Sequence, residues 1–346
     1  MADVTDAAFR AMIAKYSKMG EVGGGPDVMW TEFVSADGLC SPGRKALLVD
    51  LMYTEAERPI VAQLFSSHPE KMREAAKLVA KLGFDGIDIN MGCPDRSIEK
   101  QGAGAAMMKD KEKARAVLEA AREGVKEAVL STRKPQLPIP VSIKTRIGYN
   151  KNEIKEWIGF LLGLELPVLT VHLRTRKEMS DVPAHWELMP EIIALRDSIQ
   201  AHLSADQRTI ILGNGDVLDI TDGEKKAGES GADGVMIGRG IFGSPWLFDR
   251  TNHTNRTKNT TTHLSIEERL RICVEHTELF EKLFLVGDKA AGVALDKPLK
   301  NFAIMKKHYK AYVHGWDGAK ELRMKLMEAE TASQVREIVD LYLKNE

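Results

Sequence analysis

A carboxylate, an amide and a thiol share one short stretch of the chain, Phe84 to Pro94. Gly86 to Asn90 carries small and β-branched residues with acidic or amide side chains at alternate positions. That pattern reads as a buried strand whose Asp88 and Asn90 point to the same side. Gly92 and Pro94 end it in a tight turn, which places Cys93 three residues beyond Asn90. In an α/β barrel the C-terminal end of a strand is where chemistry sits, so Cys93 is a candidate for chemistry. Taken alone it reads equally well as a small buried hydrophobe.

Other polar residues recur at strand ends. Gln63 lies inside an apolar run, Ile60 to Phe65. Lys144 and Arg146 lie two apart in Val141 to Arg146 and share a face. His172 ends the next run, with Arg174 and Arg176 after it. A cation facing a barrel interior is costly unless it meets an anion or an electron-rich ligand. Two glycine-rich turns follow the last two strands: Gly213-Asn214-Gly215-Asp216 and Gly238-Arg239-Gly240. The second opens a formal GxGxxG, but Pro245 and a polar tract replace the helix a dinucleotide site needs. A phosphate site on these two turns is the better reading, with Arg239 supplying charge. A ring of Gln, Asn, Lys and His with phosphate-binding turns suits a flavin.

The elements that must carry these residues alternate. Strands are expected at 28–33, 60–65, 86–90, 141–146, 168–172, 209–213 and 234–238. Helices are expected from Asp6, from Pro69 to the residue before Gly83, over 110–129, 153–162 and 187–196, and from Asp219. Strand–helix alternation means parallel strands with helical crossovers, here a TIM (β/α)8-type barrel, with a doubly wound sheet as the alternative. About seven strands are visible, so the first strand of such a barrel is expected to be missing from this sequence, ahead of Met1. Thr251 to His263 is a polar linker. Ser265 to Glu268 forms a capping box opening an all-helical C-terminal domain, with a second box at Thr331 to Gln334. The expected domains are therefore 1–250, a linker at 251–263, and 264–346.

With 346 residues and 43% apolar content, the chain can bury a barrel core and a smaller module. A net charge of −1 excludes a global field for nucleic acid, so any basic surface is local. One such excess lies between Lys297 and Lys325, where Lys300, Lys306, Lys307 and Lys310 fall on one helical arc opposite Phe302, Met305, Tyr309 and Tyr312. Cys40, Cys93 and Cys273 form no disulfide framework, which fits a reducing, cytoplasmic setting. No run of about 18 apolar residues is long enough to span a membrane, and no metal site is expected.

Several segments together resemble the tRNA-dihydrouridine synthases. They are Met-Ala-x-Val-Thr-Asp-x-x-Phe-Arg (1–10), Gln-Leu-Phe (63–65), Asp-Ile-Asn-Met-Gly-Cys-Pro (88–94), Lys-Thr-Arg (144–146), His-x-Arg-Thr-Arg (172–176), Asn-Gly-Asp (214–216) and Met-Ile-Gly-Arg-Gly (236–240). The resemblance covers nearly the whole chain. It implies an FMN-bearing barrel that uses NADPH to reduce the C5=C6 bond of uridine in tRNA, with a helical domain that helps hold the tRNA, acting as a monomer. Carried over, Cys93 is the proton donor, and Asn90, Arg146, Arg174 and Arg176 contact the substrate. Gln63, Lys144 and His172 surround the flavin ring, and Asn214, Gly215, Asp216, Gly238 and Arg239 serve its phosphate. Met1 is what remains of the family's first strand and its flavin contact, and the loop 178–186 is less typical in its first half. The rivals are a flavin barrel reductase acting on a free pyrimidine or activated alkene, and an RNA-binding relative with impaired catalysis.

Overall fold

The computed structural model describes residues 1–130, 138–250, 264–287 and 295–345. Seven strands form one sheet: β1 (Met29–Ser35), β2 (Ile60–Phe65), β3 (Gly86–Met91), β4 (Val141–Arg146), β5 (Val168–His172), β6 (Ile210–Asn214) and β7 (Gly234–Met236). They are all parallel and pair in chain order from β1 to β7. A doubly wound sheet reverses its order at a switch point, whereas this unbroken order is the winding of a (β/α)8 barrel. The fold is that barrel type, with seven strands curled into part of a cylinder and a helical C-terminal region.

The crossovers follow from local patterning. Pro69 opens the helix Pro69–Lys81 at its first position, where its missing N–H costs nothing, and Met72, Ala75, Ala76 and Val79 make its buried stripe. The helix Lys111–Leu130 buries Ala114, Val117, Leu118, Ala121, Val125 and Ala128 at the same period. The two pack so closely that a Cβ on Gly124 would sit 2.1 Å from the Arg73 carbonyl oxygen. Asp219 caps Ile220–Ser230 by accepting from the Asp222 N–H. One expected helix differs: Ile154–Ile158 is a wider π-turn that continues as Gly159–Leu162. Ile154, Trp157 and Ile158 are all buried there, and Trp157 Nε1 donates to Thr145 Oγ1 at 2.8 Å. The last strand is shorter than expected, because the Met236 carbonyl takes the side-chain N–H of Asn214 at 2.9 Å and the chain then turns.

The chain falls into two compact units, 28–51 with 58–240, and 1–27 with 52–57 and 241–346. The first holds the whole sheet. These units cut the chain along different lines from the consecutive domains 1–250 and 264–346. The reason lies near the start of the chain. Arg10, almost fully buried, donates to Glu57 Oε2 at 2.7 Å and to the Thr5 carbonyl at 2.6 Å. Phe9 stacks on His276 at 5.2 Å between ring centroids. The helix Ala7–Tyr16 therefore belongs with the C-terminal helices Ile266–Glu281, Met305–Tyr312, Ala319–Glu328 and Ala332–Lys344. Ser265 and Glu268 make the expected capping box. Thr331 caps its helix, but Gln334 Oε1 accepts from the Glu330 N–H instead of closing a second box. The expected linker 251–263 lies outside the described residues. Among the described residues no helix is long and apolar enough to cross a membrane.

Candidate active site

Strand register sets the site in rows. Gln63, Asp88 and Ser142 are paired partners across β2, β3 and β4. One step on, Asn90, Lys144 and Thr170 are partners across β3, β4 and β5. Nearer the strand ends come Arg146, His172, Asn214 and Met236 across β4 to β7. Paired residues of neighbouring strands share a face, so the rows form one polar surface at the C-terminal end of the sheet. Every residue of these rows belongs to the sheet unit.

Asn90 shapes the turn that carries the thiol. Its Oδ1 accepts from the backbone N–H groups of Gly92 at 3.1 Å and Cys93 at 2.9 Å. Its Nδ2 donates to Gln63 Oε1 at 3.2 Å. Gln63 Nε2 in turn donates to Asp88 Oδ2 at 2.7 Å, and Ser142 Oγ donates to Asp88 Oδ1 at 2.7 Å. Beyond the thiol the chain folds back, with the Ala105 N–H on the Cys93 carbonyl at 2.9 Å. Gly104 allows this, since it has φ 59° and a Cβ there would lie 2.7 Å from that carbonyl oxygen. Burial pushes the Cys93 thiol above its usual range, so it stays protonated at neutral pH.

The cations are unevenly paired. Lys144 is half-buried, and Nζ donates to Asn214 Oδ1 at 3.0 Å. Burial brings it down to about 8. Arg146 is committed to backbone: Nε donates to the Gly92 carbonyl at 2.8 Å, and Nη1 to those of Thr175 at 3.0 Å and Met179 at 2.8 Å. It ties the thiol turn to the loop after β5. His172 is pushed down to about 2, first by burial and then by Lys144, Arg146, Arg174 and Arg239. The ring is therefore neutral, and Nε2 accepts from Arg174 Nη1 at 3.0 Å.

The remaining arginines face carboxylates of the chain itself. Arg174 binds Asp216 and donates to the Val182 carbonyl at 2.6 Å. Asp216 also takes the Ala184 N–H at 2.9 Å and Arg239 Nη2 at 2.9 Å. Arg176 makes a forked pair with Glu99, Nε lying 3.0 and 2.9 Å from its two oxygens. Arg174 and Arg176 thus brace the loop after β5, Arg176 against the short helix Arg96–Glu99 that follows Cys93. Trp186 Nε1 donates to the Gly215 carbonyl at 2.8 Å, and its ring fills the space of a Gly213 Cβ, which would come within 2.3 Å. The loop 178–186 is thereby the support of the Gly213–Asp216 turn.

Of the expected site residues, Cys93, Asn90, Gln63, Lys144, Arg146, His172, Arg174, Arg176, Asn214, Gly215, Asp216, Gly238 and Arg239 all lie in the sheet unit. Met1 belongs to the other unit, where its ammonium donates to Thr5 Oγ1 at 2.7 Å. Three polar side chains were not singled out from sequence. Ser142 and Glu99 hold Asp88 and Arg176. Thr170 Oγ1 is buried with no partner among the described residues, in the same row as Asn90 and Lys144. Alternation along Val168 to His172 is the signal that finds it, because it places Thr170 and His172 on one face.

The family described as dihydrouridine synthase (Dus) matches residues 1–346. A probable tRNA-dihydrouridine synthase of Staphylococcus epidermidis (strain ATCC 35984) is 34% identical over 344 residues, covering 99% of this chain and 91% of that protein. Probable tRNA-dihydrouridine synthase 2 of Bacillus subtilis (strain 168) is 35% identical over 342 residues, covering 98% and 91%. Among solved structures, a variant of NCR from Zymomonas mobilis aligns with a TM-score of 0.43 and 17% identity, over 75% of this chain and 84% of that one.

Proposed function

Because the chain belongs to the dihydrouridine synthase family, we propose that it reduces the C5=C6 bond of uridine in tRNA on the polar surface of the sheet unit, using FMN and NADPH. The observation that carries the reading is the Asn90–Cys93 turn: a neutral thiol and a base-facing amide, built as one unit beside Lys144 and His172.

The residues present fit the flavin. Lys144 has no carboxylate within ion-pairing distance among the described residues, and a neutral His172 stands beside it. Such a set calls for an electron-rich ring edge or an anion. Gln63 and Lys144 line one part of that surface. Gly215, with φ 120°, packs so flat that a Cβ would lie 3.0 Å from His172 Cδ2. Gly238 has open space where a Cβ would be, its nearest neighbour being Asn214 Nδ2 at 3.9 Å. These two turns, with Asn214 and Arg239, would take the phosphate, and Asp216 would hold Arg239 in place.

When bound, reduced FMN, recharged by NADPH, supplies the hydride that reaches C6. The chain does the rest. The uridine must leave its stack, because both faces of its double bond are otherwise shielded. Asn90 holds the ring edge, and Cys93 gives its proton to C5. Burial keeps that proton on sulfur until it is needed. The cation field of Lys144 and Arg146 stabilises negative charge on the pyrimidine carbonyls during transfer. The C-terminal helices would hold the tRNA, and the enzyme would act as a monomer in the cytoplasm, where tRNA is.

The test is direct. Purified protein should be yellow, be bleached by NADPH, and regain colour on adding tRNA that lacks dihydrouridine, with dihydrouridine appearing in the RNA. Colour regained with free uridine but not with tRNA would favour the small-molecule reductase. A protein that binds tRNA but takes up no flavin would favour the non-catalytic relative.

A further inference from the structure

No helix or strand covers residues 178–185. Met179 there sits at φ 53°, a left-handed conformation that is costly for a residue other than glycine. Yet this loop supports the Gly213–Asp216 turn on either side of His185: the Ala184 N–H donates to Asp216, and Trp186 Nε1 to the Gly215 carbonyl. Three basic side chains hold the loop in place. Arg146 Nη1 donates to the Met179 carbonyl at 2.8 Å, and Arg174 Nε to the Val182 carbonyl at 2.6 Å. His185 Nε2 lies 3.1 Å from Glu178 Oε1, at the start of the loop. Glu178 is itself anchored by the Thr175 N–H at 2.7 Å and Oγ1 at 2.9 Å.

The His185 ring lies between two carboxylates, because Nδ1 is also 2.9 Å from Glu187 Oε1. An ionised carboxylate only accepts, and a neutral imidazole has a single N–H. Satisfying both contacts takes the imidazolium. Burial works against that charge, but Glu187 and Glu178 outweigh it and push the ring above the ordinary histidine range. The ring also lines a cavity of about 540 Å³, where the other titratable groups besides Glu178 are Lys151, Lys177 and Asp181. Water can therefore carry protons to and from it. Both arginines stay charged through neutrality, so His185 is the one of the three that can let go there.

We propose that His185 is a positioning residue whose proton fastens the loop 178–186 against the Gly213–Asp216 turn, so that the grip on the FMN phosphate loosens when the ring is deprotonated. The link to FMN rests on the cofactor reading above. Because the folded value is raised, the stabilisation is fully present below ~6.5 and is lost as pH rises through that value. FMN should accordingly bind more tightly on the acid side of the transition than on the alkaline side.

Proton NMR of the histidines in the full-length, FMN-free protein tests the proton itself, with His185→Gln assigning the signal. His185 should titrate above ~6.5, and in Glu187→Gln its midpoint should move toward acid. FMN titrations from about pH 5 to about pH 9 test the consequence. Over that range the parent should lose about two- to fivefold more affinity than His185→Gln, the scale of one part-exposed ion pair. Ionisation of the FMN phosphate is common to both proteins and cancels in this difference. Glu187→Gln should match the parent at about pH 5 and begin to weaken at a lower pH than the parent does. A side chain that only fills space would shift FMN affinity equally at every pH. A His185 signal that titrates at or below ~6.5 overturns the charged clamp. Parallel pH curves for the parent and His185→Gln overturn the link to the turn, and Glu187→Gln decides both points if His185→Gln fails to fold. A chain that binds no FMN sinks the cofactor reading and this link with it, while the NMR titration still decides how the loop is fastened.

Discussion

The backbone N–H of Cys93 donates to the side chain of Asn90 at 2.9 Å, so the thiol and the amide are positioned by one turn. Removing either should therefore act on the same step. Cys93→Ala should leave flavin bound and still reducible by NADPH, because the thiol acts only on the base. Uridine reduction should fall by roughly 10²-fold or more, the usual scale for a lost general acid. Since burial raises the thiol, the alkaline loss of activity should begin above the range of an ordinary cysteine. A normal rate of uridine reduction in Cys93→Ala would falsify the assignment.

Asn90→Ala strips the acceptor from two backbone N–H groups, those of Gly92 and Cys93. Stability should drop by about 1–3 kcal/mol. In reoxidation by tRNA, the Asn90→Ala and Cys93→Ala losses should be non-additive, because a misplaced thiol is worth little more than an absent one. Fully multiplicative losses would show that the two residues act independently.

Arg239 is 70% exposed on its side chain and shares Asp216 with Arg174, so its grip on a phosphate is moderate. Arg239→Ala should weaken FMN by about five- to tenfold, close to one ordinary hydrogen bond. Because FMN stabilises only the folded chain, the variant's melting temperature should depend more steeply on added FMN near saturation. An unchanged FMN titration removes Arg239 from the site.

The neutral His172 makes a pH signature with a definite sign. Its folded value of about 2 lies far below an ordinary imidazole, so below pH ~6.5 the unfolded chain binds the extra proton. The stability tied to this group is fully present above ~6.5 and declines by about 1.4 kcal/mol per pH unit as the medium becomes more acid. Asp88 acts in the opposite sense: its raised value means its contribution falls as pH rises from ~4 to about 6. In FMN-free protein, His172→Asn should flatten the loss of stability between pH 6.5 and 5 in denaturant titrations (roughly 2 kcal/mol at most). An identical slope in the variant would mean that the ring is charged in the fold.

The basic arc of the C-terminal helices offers the last test. In the helix Met305–Tyr312, Met305, Tyr309 and Tyr312 are buried as the periodicity requires, Lys307 and Lys310 are exposed, and Lys306 is half-buried. Lys307 also lies 3.3 Å from Asp3. Changing Lys306, Lys307 and Lys310 to Ala should weaken tRNA binding and lower its salt slope by about 0.7–0.9 for each phosphate no longer neutralised. Reduction by NADPH should be untouched. Unchanged tRNA affinity and slope would move the RNA elsewhere, to the rim carrying Lys177.

Much of this was legible in the chain because it depends on local order. Alternation alone places Asp88 with Asn90 and Lys144 with Arg146, since side chains along a strand change face at every residue. Helix starts at Asp6, Pro69, Asp219 and Ser265 were readable because caps are satisfied within one turn. Partners across strands were not, because sequence carries no register. That Asp88 meets Gln63 and Ser142, that Arg146 spends its donors on backbone carbonyls, and that Arg174 and Arg176 meet Asp216 and Glu99 all follow from the order in which seven strands pair. The same holds for Arg10 and Glu57, which join the start of the chain to residues 52–57 within the helical unit. Residue types determined which groups were available for chemistry; the tertiary structure decided which of them are already occupied by the protein itself, because a buried donor or acceptor must find its partner wherever the fold brings one.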